Sequence, residues 1–265
     1  MEKTMKYDHT FAICAYKESK YLEECINTLL NQTMKSKIYI STSTPNEHIS
    51  RLAEKYDLPV YVNTGIKGIT GDWNFAMSQA DTKYVTIAHQ DDVYEPTYTE
   101  ELIKRAEKAK NPIIIFSDYF ELRDGEKVFK NKLLKIKRMM NFFIGIFPNS
   151  RFMRNRVLSV GNSICCPAVM YSMEAYKDFQ FDNSFKTSCD WEAWSRLALI
   201  KGAFIYHRKP LMGHRIHEES ETTATIADNT RNCEDLIIYE RYWPSFIAKM
   251  LIKPYSQSQK SNNIK

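Results

Sequence analysis

The sequence predicts an α/β protein with a mostly parallel central sheet flanked by helices, and three observations predict it. Short apolar runs alternate with stretches of helical period from Thr10 to Ser117, and strands separated by helices pair in parallel. Polar clusters directly follow the apolar runs, at the carboxyl ends of the strands, where such sheets bind ligands. A chain of 265 residues, 43% hydrophobic and 26% charged, suits one large domain or two small ones with a sizeable core.

The elements follow in order. Thr10 to Ala15 is an apolar run, Tyr16 to Lys20 a polar turn, and Tyr21, Leu22, Cys25, Ile26, Leu29 and Leu30 recur with helical period. A strand at Lys37 to Ser41 leads to a helix starting near Pro45, placed for a first turn, with Ile49, Leu52, Ala53 and Tyr56 on one face. Next come a strand at Pro59 to Asn63, a loop with glycines at 65, 68 and 71, a helix at Asp72 to Ala80 and a strand at Tyr84 to Ala88. A helix at Thr97 to Lys110 and a strand at Pro112 to Ser117 complete the regular part, and Arg123-Asp124-Gly125 reads as a turn. Beyond it the sequence becomes basic, then irregular and aromatic-rich, and the polar tail Ser256 to Lys265 reads as disordered.

Composition narrows the function classes. Six cysteines at 14, 25, 165, 166, 189 and 233 lack C-x-x-C spacing and read as reduced, mostly buried thiols of a cytoplasmic protein. The opening MEKTMKYDHT is polar, and no run of 18 apolar residues occurs, so neither a secretion signal nor a spanning helix is expected. The net charge is +5, but Lys127 to Arg156 holds nine Lys and Arg and no acid, leaving 5 − 9 = −4 on the rest. Within that segment Met139 to Phe147 is apolar: either a core helix with a solvated basic flank, or a helix on the membrane surface meeting anionic headgroups. The segment has no nucleic-acid readout motif, so no nucleic-acid partner is expected.

Two clusters carry chemistry by residue type. Asp91 and Asp92 follow the strand ending at Ala88, and adjacent carboxylates suit a hard divalent cation, Mn²⁺ or Mg²⁺, bridging to a diphosphate. A turn or helix cap is the plainer use of such aspartates. Gly68-Ile69-Thr70-Gly71-Asp72-Trp73-Asn74 places a helix N-terminus after flexible glycines, where backbone N–H groups meet anions. An ordinary capped helix is the alternative there.

Taken together, these motifs resemble the inverting family 2 glycosyltransferases of the GT-A fold. Cys14-Ala15-Tyr16-Lys17-Glu18 and Leu29-Leu30-Asn31-Gln32-Thr33 are similar to the family's first strand motif and following helix. His89-Gln90-Asp91-Asp92 through Pro96 is similar to its D-x-D-D element, with His at the first acidic position. Phe181-Asp182-Asn183-Ser184-Phe185, then Cys189-Asp190-Trp191-Glu192-Ala193-Trp194-Ser195-Arg196-Leu197, are similar to its F-D-x-x-F and E-D-W-x-x-W-x-R-L elements, with Cys189 replacing an acid. His214-Arg215-Ile216-His217, followed by Ser220 to Thr223, is similar to its Y-R-x-H element.

The resemblance implies a nucleotide-sugar site built from Ala15, Tyr16, Glu18, Thr42, Gly68, Asp72, Asn74, Asp91 and Arg215, with a metal at Asp91, Asp92 and His217. It implies Asp190 as general base; the alternative is a helix N-cap. On a helix Asp190 and Glu192 diverge by about 200°, so only one faces a given site. Where the family carries V-D-D-G-S after its second strand, this chain has Ser41-Thr42-Ser43-Thr44 without a carboxylate, which leaves a UDP-sugar as the default donor. The implied acceptor is a glycan or lipid-linked saccharide. The implied organisation is a nucleotide-sugar half at 1–123, an acceptor half of the same domain at 124–225, and a C-terminal helix and tail at 226–265. A catalytically silent nucleotide- or glycan-binding module of this fold is the other function class. The expected location is cytoplasmic, with 127–156 offering peripheral contact to the inner face of the cell membrane.

Overall fold

The computed structural model describes residues 7–217 and 230–260. The first half runs β1 (His9–Ala15), α1 (Leu22–Leu30), β2 (Lys37–Thr42), α2 (Glu47–Lys55), β3 (Val60–Val62), α3 (Ile69–Ser78), β4 (Tyr84–His89), β5 (Val93–Tyr94) and α4 (Tyr98–Glu107). The second runs β6 (Pro112–Arg123), β7 (Glu126–Val128), α5 (Lys132–Ile146), α6 (Arg151–Leu158), β8 (Val169–Ser172), α7 (Met173–Tyr176), α8 (Cys189–Leu197), β9 (Ala203–Ile216), α9 (Thr230–Glu240) and α10 (Ser245–Lys260). The strands form one sheet in the order β3-β2-β1-β4-β8-β6-β9-β5, with β7 paired to β6.

β1 lies inside the sheet and is covered on both faces, which is why it reads as an unbroken apolar run. Its alternation sends Ala12 to a core with Trp73, Met77 and Ile87, and Phe11, Ile13 and Ala15 to a second core with Leu22, Ile26 and Leu102. The parallel register pairs Ala15 with Thr42 and Cys14 with His89, so the carboxyl ends of β1, β2 and β4 lie side by side. The loops after them meet at one rim.

Several boundaries and one pairing rule differ from expectation. Asn46, not Pro45, starts α2: its side chain accepts from the Ile49 N–H at 3.0 Å, and helical dihedrals begin after it. α3 begins at Ile69, three residues before Asp72. The sheet is mixed, because β8 inserts antiparallel between β4 and β6 and β5 pairs antiparallel with β9. Asp124 and Gly125 have φ of 50° and 85°, which closes the tight hairpin between β6 and β7.

The region read as irregular contains the long strand β9. It runs parallel to β6, but Ser117 pairs with His207 and Asp118 with Pro210, so exposed Arg208 and Lys209 bulge out and interrupt its apolar pattern. Gly213 lets β9 pass under Phe120, since a Cβ there would lie 2.5 Å from that ring.

The apolar run from Met139 is not a core helix. α5 buries Leu134, Asn141 and Ile144 but exposes Ile136, Met139, Phe142, Phe143 and Ile146, with Phe147 and Phe152 exposed just beyond. No helix among the described residues is long and apolar enough to cross a membrane. The tail expected to be disordered from Ser256 is helical as far as Lys260, and 261–265 lie outside the described residues. The cysteines are unpaired; Cys25, Cys166 and Cys189 are buried and Cys233 is exposed.

One member of the basic segment is buried. Arg154 donates Nε to the Ala198 carbonyl and Nη1 to the Gly202 carbonyl, both at 2.7 Å, and Nη2 to the Ile200 carbonyl, while its guanidinium lies 4.8 Å from the centre of the Phe204 ring. It thereby satisfies carbonyls left open at the end of α8. Arg154→Lys offers one ammonium for three divergent carbonyls and should lower the unfolding free energy by about 1.5–3 kcal/mol. Urea denaturation measures this, and an unshifted midpoint would contradict the capping role.

Candidate functional site

At the rim formed by β1, β2 and β4, the turn after β1 is fastened to the turn after β4. The Gln90 side-chain amide accepts from the Tyr16 N–H at 3.1 Å and donates to the Tyr16 carbonyl at 3.0 Å. Lys17, at φ 54°, donates its N–H to Thr44 Oγ1 at 2.6 Å. Ala15 is buried at the strand end, Thr42 is buried and accepts from the Thr44 N–H, and the Tyr16 ring and Glu18 are exposed above them. These four expected site residues therefore share one edge. Gln90 gave no signal in the sequence beyond occupying a motif's variable position.

The glycine loop is rigidified from within. Gly68 has φ 96° and opens α3, and a Cβ on Gly71 would stand 2.3 Å from the Ile66 carbonyl oxygen. Asp72 accepts from Ser43 Oγ at 2.8 Å and from Asn63 Nδ2 at 2.7 Å, tying the ends of β2 and β3 to the first turn of α3. Asn74 donates to the Phe181 carbonyl at 2.9 Å and accepts from the Phe181 N–H at 2.8 Å. The side chains of Asp72 and Asn74 are thus engaged with the protein itself, and Ser43 and Asn63 join the site without any motif to flag them.

The acidic pair sits where β4 meets the end of β9. Asp92 is fully buried; its Oδ1 accepts from the Arg215 N–H at 2.9 Å and lies 3.1 Å from His214 Nδ1. Asp91 Oδ2 lies 2.8 Å from His217 Nε2, and Arg215 Nε donates to the Asp91 carbonyl at 2.8 Å. Burial pushes the Asp91 carboxyl up, but the His217 hydrogen bond and the nearby His89 and His214 outweigh it and hold it below the usual carboxylate range. Burial opposes a charge on His214, yet Asp92 and Asp91 raise it above an ordinary imidazole. The Arg215 guanidinium also pairs with Glu24 at 2.5 Å and covers the Tyr21 ring at 4.2 Å.

These residues suit a cation. His89, Asp91 and Asp92 each place one donor atom within 4.8 Å of the others. Asp92 Oδ2 lies 3.8 Å from His89 Nδ1, and both Asp92 Oδ2 and His89 Nε2 are buried without a hydrogen-bond partner among the described residues. An unpartnered buried carboxylate oxygen costs free energy that a bound cation removes. Two carboxylates and an imidazole accept Mn²⁺ readily and Mg²⁺ through the oxygens. His89 stands at the first acidic position of the motif, and its ring, stacked on Trp73 at 5.5 Å, carries nitrogens of a kind that bind such cations.

Asp190 opens α8 but is not its N-cap. That position is Ser188, and Glu234 of α9 anchors the loop that leads into the helix, accepting the N–H groups of Lys186, Thr187 and Ser188 at 2.7–2.9 Å. Asp190 accepts from its neighbour Trp191 N–H and from Asn162 Nδ2, each at 2.7 Å. Glu192 is buried in a different environment, where Arg196 binds it with two nitrogens and Arg241 with one. Neither Asn162 nor Glu234 lies in a motif. The expected Ser220 to Thr223 element lies outside the described residues.

The chain is similar to known proteins. The family model "Glycosyl transferase family 2" matches residues 10–179. The glycosyltransferase GlyA of Streptococcus pneumoniae serotype 4 is 21% identical over 222 residues, covering 80% of this chain but only 31% of that protein, so the chain spans about a third of its length. The S. aureus TarS 1-349 structure in complex with UDP-GlcNAc aligns with a TM-score of 0.61 at 15% identity, covering 96% of this chain and 72% of that one. The mannosyltransferase PcManGT from Pyrobaculum calidifontis, in complex with GDP-Man and Mn²⁺, aligns with a TM-score of 0.65 at 11% identity, covering 97% and 74%. At these identities the two structures establish the GT-A fold.

The Asn74 clamp is testable without any ligand. Asn74→Ala leaves the N–H and carbonyl of Phe181 without their partner and should cost about 1–3 kcal/mol of stability. Thermal or urea unfolding of the nucleotide-free protein checks this; an unchanged stability would show that the clamp carries no weight in the fold.

Proposed function

The chain belongs to glycosyl transferase family 2 and is a glycosyltransferase, and from that membership we propose an inverting transfer. The sugar moves from a nucleotide diphosphate to a hydroxyl of a glycan or lipid-linked saccharide, with Asp190 as general base. The observation that carries this reading is the contrast on α8. Asp190 is held only by neutral N–H donors and forms no ion pair among the described residues, while Glu192 is neutralised by two arginines. No cation among the described residues lies within ion-pair distance of the Asp190 oxygens, so they keep lone pairs for an acceptor hydroxyl, whereas those of Glu192 are taken by Arg196 and Arg241.

In the proposed step Asp190 removes the proton of the acceptor hydroxyl as that oxygen attacks the anomeric carbon. The bond to the diphosphate breaks on the opposite face, which inverts the configuration. General-base assistance contributes on the order of 10²–10⁴-fold. Asp91 and Asp92, with His89 or His217, would hold Mn²⁺ or Mg²⁺, which neutralises charge on the departing diphosphate. The Mn²⁺ in the PcManGT complex supports that assignment.

Donor recognition falls to the rim. Tyr16, 48% exposed, offers its ring face to the nucleobase, and Ala15, Glu18 and Thr42 line the same edge. Gly68 and the first turn of α3 offer amides to the phosphates, held in place by Asp72 and Asn74. Arg215 clamps the diphosphate by exchanging Glu24, whose side chain is 53% exposed and returns to water. UDP is the default nucleotide, supported by the UDP-GlcNAc bound to TarS, with GDP as the competitor that the PcManGT complex suggests.

The acceptor side faces a membrane in this proposal. The exposed residues Ile136, Met139, Phe143, Ile146 and Phe147 form one stripe along α5, next to exposed Lys132, Lys135 and Arg151. Apolar side chains rimmed by cations suit the boundary between acyl chains and anionic headgroups.

A screen of UDP- and GDP-sugars with Mn²⁺ or Mg²⁺, scored by nucleotide release and product anomer, tests the reaction. Asp190→Asn should abolish transfer while leaving nucleotide affinity within a few-fold, because the base acts on the acceptor; near-normal turnover would place the base elsewhere. For the surface, Phe143→Asp with Phe147→Asp should weaken co-sedimentation with phosphatidylglycerol vesicles about 100-fold, given about 1.4 kcal/mol for each Asp at an apolar boundary. Equal binding by the variant, or none by the parent chain, removes the membrane from the proposal.

A further inference from the structure

We infer that Asn162 is the positioning residue of Asp190, presented by a strap, Gly161 to Ile164, held between α5 and α10. The inference rests on the proposed role of Asp190 as base. Asn162 Nδ2 donates to Asp190 Oδ2 at 2.7 Å, and Asn162 Oδ1 accepts from the Ile164 N–H at 3.2 Å. Both neighbours dictate the same amide orientation, because a carboxylate only accepts and an N–H only donates.

The strap is pinned on two sides. Gly161, at φ 150°, lies against Tyr255 of α10 so closely that a Cβ would stand 2.7 Å from its ring, and the Asn162 N–H donates to the Tyr255 hydroxyl at 3.3 Å. Opposite, Asn141 of α5 donates to the Ser163 carbonyl at 3.1 Å and accepts from Ser163 Oγ at 2.7 Å, with both side chains buried. Tyr255 itself packs on Trp191, the residue after Asp190, at 5.3 Å between ring centres. Loop and helix are therefore registered against each other through the same tyrosine.

The chemistry of the contact matters as much as its geometry. One neutral N–H on each Asp190 oxygen fixes the carboxylate plane and leaves lone pairs for an acceptor hydroxyl. A lysine or arginine at position 162 would orient the group equally well but would hold its charge and weaken it as a base. An amide satisfies both demands.

Asn162→Asp tests this with an isosteric side chain that keeps the acceptor for Ile164, loses the donor to Asp190 and adds a like charge. Nucleotide release and transfer from UDP-GlcNAc, UDP-glucose and GDP-mannose with Mn²⁺ should show kcat falling by about 100-fold, with donor KM within about twofold and the melting temperature retained. Asn162→Ser, which keeps a shorter donor, should fall in between and serves where the aspartate variant does not fold. A folded Asn162→Asp or Asn162→Ser with the parent's kcat, while Asp190→Asn is inactive, overturns the inference alone. Turnover retained by Asp190→Asn overturns the base assignment and the inference with it.

Discussion

Asp92 is an acidic side chain with no exposed surface, and both halves of the sheet are arranged around it. Isolated, such a carboxylate would be costly to bury; here the Arg215 N–H, His214 and His89 surround it. That arrangement requires the end of β9 to lie against the turn after β4, which the antiparallel pairing of Val93 with Gly213 secures. It also requires Gly213, since any side chain would push β9 off Phe120. The same constraint delivers His217 to Asp91 and the Arg215 guanidinium to Glu24. A cluster of histidines, acids and an arginine is assembled around one buried group, whose second oxygen still lacks a hydrogen-bond partner among the described residues.

The helix carrying Asp190 depends on a separate set of supports. The loop leading into its amino end is anchored by Glu234 and its carboxyl end is closed by Arg154, neither of which belongs to the helix. Ser188 donates to Asp235, which burial pushes up to about 6 despite Arg231 and Ser188. The C-terminal helices α9 and α10 are therefore part of the framework of α8, and the family match at residues 10–179 ends before this framework begins.

The first half of the fold was legible because β1, β2 and β4 alternate with amphipathic helices and are buried enough to read as apolar runs. β8 was not, because four residues between other elements carry no period, and β9 was not, because Arg208 and Lys209 bulge out of it. The motif residues do gather at two places, but their contacts were hidden: Asn74 serves Phe181, 107 positions away, and Arg215 serves Glu24, 191 away. Gln90, Asn162 and Glu234 act through long-range hydrogen bonds, and no local pattern announces such a partner. At position 89 the motif pattern counts acids only, whereas an imidazole can also donate electrons to a cation.

The two faces of α5 set a ruler. One carries the exposed stripe from Ile136 to Phe147, and the other, through Asn141, grips Ser163, the neighbour of Asn162 beneath Asp190. An α-helix with its side chains is about 10–12 Å across. If the stripe rests on a bilayer, the proposed base stands little more than one helix diameter above the headgroups. Under the proposed membrane contact, that height would favour the hydroxyl of a short saccharide still attached to its lipid, and a long glycan would have to fold back to be served.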